Sequence, residues 1–191
     1  MQLTHSVVLG SKSPRRAQLL KDLGISFKVI VTDADENAPK DLDGIGTARW
    51  ISHQKATALQ PHLQDHELGI TSDTEVWLHD RRFGKASTKE EAEEMLRTLS
   101  GTTHRVITGL SLVTLDQINT FHSVVQVTFE PLPDWAIEHY IETYSPFDKA
   151  GAYGIQEWIG ACFISSIEGE YNAVVGLPTS TLFTALQPYI K

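Results

Sequence analysis

HSVVLGSKSPRRAQLL, residues 5–20, runs from an apolar strand (Val7, Val8, Leu9, Gly10) straight into a charged turn and then into a helix. Ser13 carries the short side-chain oxygen of a good N-cap. Pro14 suits the first helical position, where its missing N–H would have had no partner. The open amides of that helix start, with Lys12, Arg15 and Arg16 beside them, form a candidate anion site suited to a phosphate. The plainer alternative is a capped helix with solvated arginines. Arg16 stands three and four residues before Leu19 and Leu20, on the apolar side of the helix. Arg15 is one position away and reads as structural.

Outward from this β/α junction, strands and helices alternate. Strands are expected at 6–10, 27–31, 68–72, 75–79, 104–115, 120–130 and 161–167, and helices at 14–23, 45–59, 88–99, 133–143 and 178–187. Thr88 and Glu91 make a capping box, followed by an apolar face of Ala92, Met95, Leu96 and Leu99. HRVITGLSLVTL and INTFHSVVQVTFE, separated by Asp116-Gln117, read as a long hairpin. The pattern predicts an α/β protein with a mixed, twisted sheet flanked by helices. The irregular segment Thr32–Gly46, rich in Asp, Pro and Gly, is a cleft wall or lid.

At 191 residues the chain can bury its core as one domain, 1–191, or as two lobes sharing one sheet. A net charge of -8 argues against broad nucleic-acid binding, which needs a positive field, but not against a nucleotide ligand held by a local cationic cluster. The one cysteine, Cys162, forms no internal disulfide and is expected to be a buried structural thiol. With no apolar run long enough to span a bilayer and no continuous signal-peptide core, a cytoplasmic location is the default expectation.

Several charges interrupt apolar patterns. In the second helix Ala48, Ile51, Ala58 and Leu59 mark the buried face, and Lys55 falls on it. A buried charge costs several kcal/mol unless it is paired or reaches water, so Lys55 and Arg16 either snorkel or point into a polar cleft. Asp73 follows the apolar Leu68–Ile70 and is expected at a strand end, where α/β sheets present ligand crevices. Glu36 and Asp73 could together hold a hard divalent cation. Alternatively Asp35 and Glu36 are solvated loop acids and Asp73 caps a turn. Lys85 follows a turn at Asp80-Arg81-Arg82 and is either a cleft lysine or a surface one. FDKAGAYGIQ joins Asp148 and Lys149 to two glycines and Gln156, whose amide could read a base edge; an ordinary glycine-rich loop is the competing view. His104, after the helix exit Leu99-Ser100-Gly101, reads as structural. No Walker sequence, dinucleotide fingerprint or nucleophile elbow is present.

The ordered blocks GSKSPRRAQLL, SDTEV, FGK, LSGTTHRVITGL, DKAGAYGIQ and IEGEYNAVVGLP resemble the Maf family of nucleoside triphosphate pyrophosphatases, in its dTTP/UTP branch. The resemblance implies an elongated Maf/ITPase-like α/β fold with a nucleotide cleft between two lobes. It implies metal-dependent hydrolysis between the α and β phosphates, with Mg²⁺ or Mn²⁺, and a homodimer. The family's phosphate motif falls on Ser11, Ser13, Arg15 and Arg16, its acidic loop on Glu36, and its lysines on Lys55 and Lys85. Its general base falls on Asp73 and its metal ligands on Glu36 and Asp73. The positions that separate substrate branches fall on Arg16, Thr74 and Gln156. The chain departs from the family pattern at Ser72, where alanine is usual, and at Ala86, where proline is usual. Two rivals stand beside this reading: a pyrophosphatase for purine or modified nucleotides, and a nucleotide-binding cell-division regulator.

Overall fold

The computed structural model describes residues 2–191. In chain order come β1 (Ser6–Leu9), α1 (Pro14–Asp22), β2 (Phe27–Val29), α2 (Gly44–Leu59), β3 (Glu67–Leu78) and β4 (Arg81–Phe83). There follow α3 (Lys89–Leu99), β5 (Thr103–Val113), β6 (Ile118–Phe129) and α4 (Asp134–Tyr144). The chain ends with α5 (Trp158–Phe163), β7 (Ile164–Glu168), α6 (Tyr171–Val175) and α7 (Thr179–Leu186). The strands form one seven-stranded mixed sheet in the order β2-β1-β3-β5-β6-β7, with β4 paired to β3 off that path. The expected α/β class, with helices against a mixed sheet, is what the chain adopts. Parallel β1 and β2 need a crossover, which α1 supplies. Ser13 caps α1 by accepting from the Arg16 amide, and Thr88 caps α3 by accepting from the Glu91 amide. Glu91 returns its carboxylate to the Ser87 amide (2.7 Å), one residue before the cap.

Besides a small cluster of Val8, Ala56, Leu59, Leu63 and Val113, the sheet feeds two large apolar cores. One gathers Leu9, Leu20, Leu68, Ile70, Leu110 and Leu182 beneath α1 and α7. The other gathers Val76, Phe83, Leu96, Val106, Phe129 and Tyr140 around α3 and α4. β3 and β5 contribute to both, at opposite ends of the same strands. On β5, Gly109 lets α2 sit directly on the sheet: a Cβ there would lie 2.1 Å from the Ala48 carbonyl oxygen.

Five expectations are corrected. The segments 68–72 and 75–79 are one continuous strand, because polar Thr71–Glu75 keeps its ladder to β5 throughout. Asp73 is therefore in mid-strand, paired with Gly109, and not at a strand end. The apolar run 161–167 is divided between α5 and β7, and Cys162, on α5, is exposed. Gly160 causes the split, since it packs where a Cβ would lie 1.9 Å from the Ile155 carbonyl oxygen and so lets a helical turn close there. On α2, Ala48 is buried as expected, but Ala56 is buried in place of Ala58, which is half-buried.

Candidate active site

β3 is flanked on one side by β1 as far as Ile70 and by β4 from Val76 onward. Between these partners, Thr71–Glu75 pairs only with β5. β1 leaves the sheet here because Gly10, whose amide still donates to Ile70 O (2.9 Å), leads into the α1 cap. The gap between the departing β1 and the arriving β4 is the mouth of a cleft of about 420 Å³, within the range of small-molecule sites.

The ten candidate site residues all line this cleft: Ser11, Ser13, Arg15, Arg16, Glu36, Lys55, Asp73, Thr74, Lys85 and Gln156. Its floor is an ion-pair cluster. Lys55, from α2, places its ammonium 2.6 Å from Asp73 Oδ1 and 3.1 Å from Glu36 Oε1. Asp73 is buried and the Lys55 side chain nearly so, which makes this pair stronger than a surface one. Glu36 arrives from the segment 32–46, whose Thr32, Asp33 and Ala34 also line the cleft, so this segment is a cleft wall. Lys85 is exposed, and its backbone bridges to Ala150 across the opening.

The α1 end of the cleft is braced for an anion. Arg16 donates from Nε to Gly176 O (2.8 Å) and from NH1 to Ser11 Oγ (3.1 Å), while the Ser13 amide donates to Ser11 Oγ (3.2 Å). Gly176 needs its φ of +133° to turn that carbonyl inward. Ser72 joins the same brace by donating to Gly109 O (2.8 Å) and Gly176 O (3.0 Å), contacts that an alanine could not make. Arg15 reaches across the mouth to Asp148 (2.8 Å), beside Lys149 Nζ, which lies 2.7 Å from Asp148 and 3.2 Å from Glu157. Burial opposes charge on Asp148, but hydrogen bonds from Lys149 and Arg15 outweigh it and hold the carboxyl down at about 2. Arg15, read as structural, thus faces the cleft.

Sequence reasoning passed over a second carboxylate. Glu75, two residues along β3 from Asp73, is buried and bound by both ends of Arg82 from β4, at 2.5 and 2.7 Å. Burial raises its carboxyl, Arg82 pulls it back, and neighbouring Asp73 raises it further. The signal was available: a second acid two residues from Asp73 in the same strand must lie on the same face. Glu157 and the Gly176 carbonyl were also missed, having no local pattern to mark them. His104 is structural as expected, buried against Phe129 with Nε2 2.7 Å from the Tyr153 hydroxyl.

Among the described residues, no group of three or more His, Cys, Asp and Glu side chains makes a self-contained metal cage. The donor set nevertheless fits a hard cation that completes its shell with phosphate oxygens. Asp73 and Glu36 already converge on a single positive centre, the Lys55 ammonium.

A mixed sheet opened at its middle strand, with lysines and arginines around a carboxylate floor, defines an α/β protein with a charged cleft of small-molecule size. Residues 6–189 match the family described as Maf-like protein, and the chain belongs to that family. It is 40% identical over 182 residues to a Flavobacterium johnsoniae protein named dTTP/UTP pyrophosphatase, covering 95% of this chain and 94% of that one. A Bacteroides thetaiotaomicron protein of the same name is 42% identical over 184 residues, covering 96% and 95%. The solved structure of the Staphylococcus aureus Ham1 protein aligns with a TM-score of 0.44 at 18% identity, over 65% of this chain and 71% of that one, too loosely to bear on the site.

Proposed function

We propose that this chain hydrolyses dTTP and UTP at the α–β phosphoanhydride, releasing a nucleoside monophosphate and pyrophosphate, and so serves nucleotide-pool house-cleaning. The observation that carries the reading is Lys55, whose ammonium joins Asp73 and Glu36 on the floor of a cleft rimmed by the capped start of α1. The names of its relatives point the same way. Residues 1–191 act as one domain, its two lobes sharing the sheet, and pair as a homodimer.

Ser11, Ser13, Arg15 and Arg16 hold the phosphate chain through hydroxyls, open amides and guanidinium groups. Asp73 orients a water and accepts its proton as the water oxygen attacks the α phosphorus. The α–β P–O bond breaks with its electrons going to pyrophosphate, and Lys55 and Lys85 offset that growing charge. A divalent cation, Mg²⁺ or Mn²⁺, would be held by Glu36 and Asp73, and when bound it supplies electrophilic stabilisation of phosphoryl oxygens. With Arg16 and Thr74 beside it, the Gln156 amide complements one donor–acceptor pair of a thymine or uracil edge.

The test is a metal-supplemented panel of dTTP, UTP, GTP, ITP and methylated GTP, with monophosphate and pyrophosphate both quantified. Turnover is expected for dTTP and UTP, and reaction in ¹⁸O-water should label the monophosphate. Preference for the purines, tight binding without turnover, or label confined to pyrophosphate would each defeat the proposal.

A further inference from the structure

Glu157 has no part in the reaction above, yet its carboxylate meets three polar partners, Tyr140, Lys149 and Gln156. It stands at the N-cap of α5 without capping it, its side chain turned inward and 19% exposed. Its Oε2 accepts a short hydrogen bond from the Tyr140 hydroxyl, which itself accepts from the Gly154 amide at 2.9 Å. Its Oε1 lies 3.2 Å from Lys149 Nζ and 3.5 Å from Gln156 Nε2. A Cβ at Gly154 would stand 2.8 Å from both Gln156 Nε2 and Glu157 Cδ, so the two side chains close over the bare Gly154 Cα.

A carboxylate offers only acceptors, whereas a glutamine amide has a donor end and an acceptor end. Turning the Gln156 amide over would set its carbonyl oxygen against the Glu157 carboxylate. The amide therefore keeps one orientation, with Oε1 and one remaining N–H free for the cleft. Uracil and thymine present an N3–H donor beside a carbonyl acceptor, which matches that order. Cytosine reverses it, with an N3 acceptor beside an amine donor. An untethered glutamine serves either base by flipping; a tethered one cannot. We infer that Glu157 is a positioning residue that locks the Gln156 amide, so that the cleft prefers oxo-pyrimidine triphosphates (UTP, dTTP) over amino-pyrimidine ones (CTP, dCTP). The inference rests on the proposal that Gln156 reads the base. Guanine carries the same N–H and carbonyl order as uracil, so the lock leaves rejection of GTP to the size of the cleft.

Glu157→Gln preserves shape and an acceptor for Tyr140 but can face either end of the Gln156 amide. The ratio of kcat/KM for UTP to that for CTP should exceed one in the wild type. It should fall roughly tenfold in Glu157→Gln, as expected when one correctly placed hydrogen bond ceases to discriminate. Glu157→Asp, still acceptor-only, should retain the preference even where overall turnover drops. Gln156→Ala should bring the ratio close to one. A Glu157→Gln ratio equal to a wild-type ratio above one, while Gln156→Ala abolishes the preference, overturns the lock and leaves base reading intact; a wild-type ratio near one overturns the lock. An unaltered ratio in Gln156→Ala overturns base reading itself. The wild type supplies an independent measure: Gln156 and Gln117 are both exposed, and the tether to Glu157 should slow solvent exchange of the Gln156 side-chain amide protons relative to those of Gln117. Equal exchange rates would also overturn the lock.

Discussion

Asp73→Asn keeps the volume of the side chain and removes both its charge and its capacity to accept a proton. Turnover should fall roughly 10²-fold or more at saturating nucleotide and metal, with the fold retained, as steady-state kinetics and circular dichroism would check. Lys55→Ala and Lys85→Ala should both impair the enzyme; a loss in kcat marks stabilisation of the leaving group, whereas a rise in KM alone marks ground-state binding. His104 yields a pH prediction. Burial pulls its imidazole from 6.5 to about 4, so the folded chain resists a proton that the unfolded chain takes up. Its contribution is complete above pH 6.5 and is lost progressively as pH falls toward 4, by up to about 3 kcal/mol. Urea denaturation should show that slope in the wild type and a flatter one in His104→Phe. Charges out of pattern were legible in the sequence at Arg16, Lys55 and Asp73. The Glu75–Arg82 pair was not, because its partners meet only once the β3–β4 hairpin closes.

Among the secondary structures, α2 and β3 do most to position the site. α2 carries Lys55 to Asp73 only because Gly109 lets the helix backbone rest on β5. Gly109→Ala would drive a methyl into the Ala48 carbonyl and lift the helix, costing about 1–3 kcal/mol in stability. The denaturation midpoint and the turnover number should fall together. The caps at Ser13 and Thr88 were readable from the sequence because capping is local, completed within one helical turn. The division of 161–167 into α5 and β7 was not, since a short apolar run has no clear period and Gly160 is set by the Ile155 backbone it meets.

Across the molecule, two cores share one sheet, and the active-site candidates lie where their strands are continuous but their neighbours are not. Because no cage of three or more metal-ligating side chains exists among the described residues, stripping divalent cations with a chelator should abolish turnover while leaving the thermal midpoint nearly unchanged. A calorimetric scan with and without chelator, beside a pyrophosphate-release assay, checks both halves. Ionic strength offers a further measure. An acidic chain that gathers Lys12, Arg15, Arg16, Lys55, Lys85 and Lys149 around one cleft should show a KM for the triphosphate that rises with salt, through screening of exposed Lys85 and half-buried Arg15. The β/α alternation and the helix caps followed from the order of amino acids, because propensity, capping and apolar period act over a few residues; Ser11, Thr74 and the roles in the cleft came from the resemblance to the Maf family. The gap beside Thr71–Glu75, the Arg15–Asp148 span across its mouth and the burial of Glu75 came from packing. These depend on register between segments far apart in the chain. A strand carries no local mark of where its neighbour departs, and an ion pair becomes strong only when tertiary contacts remove the surrounding water.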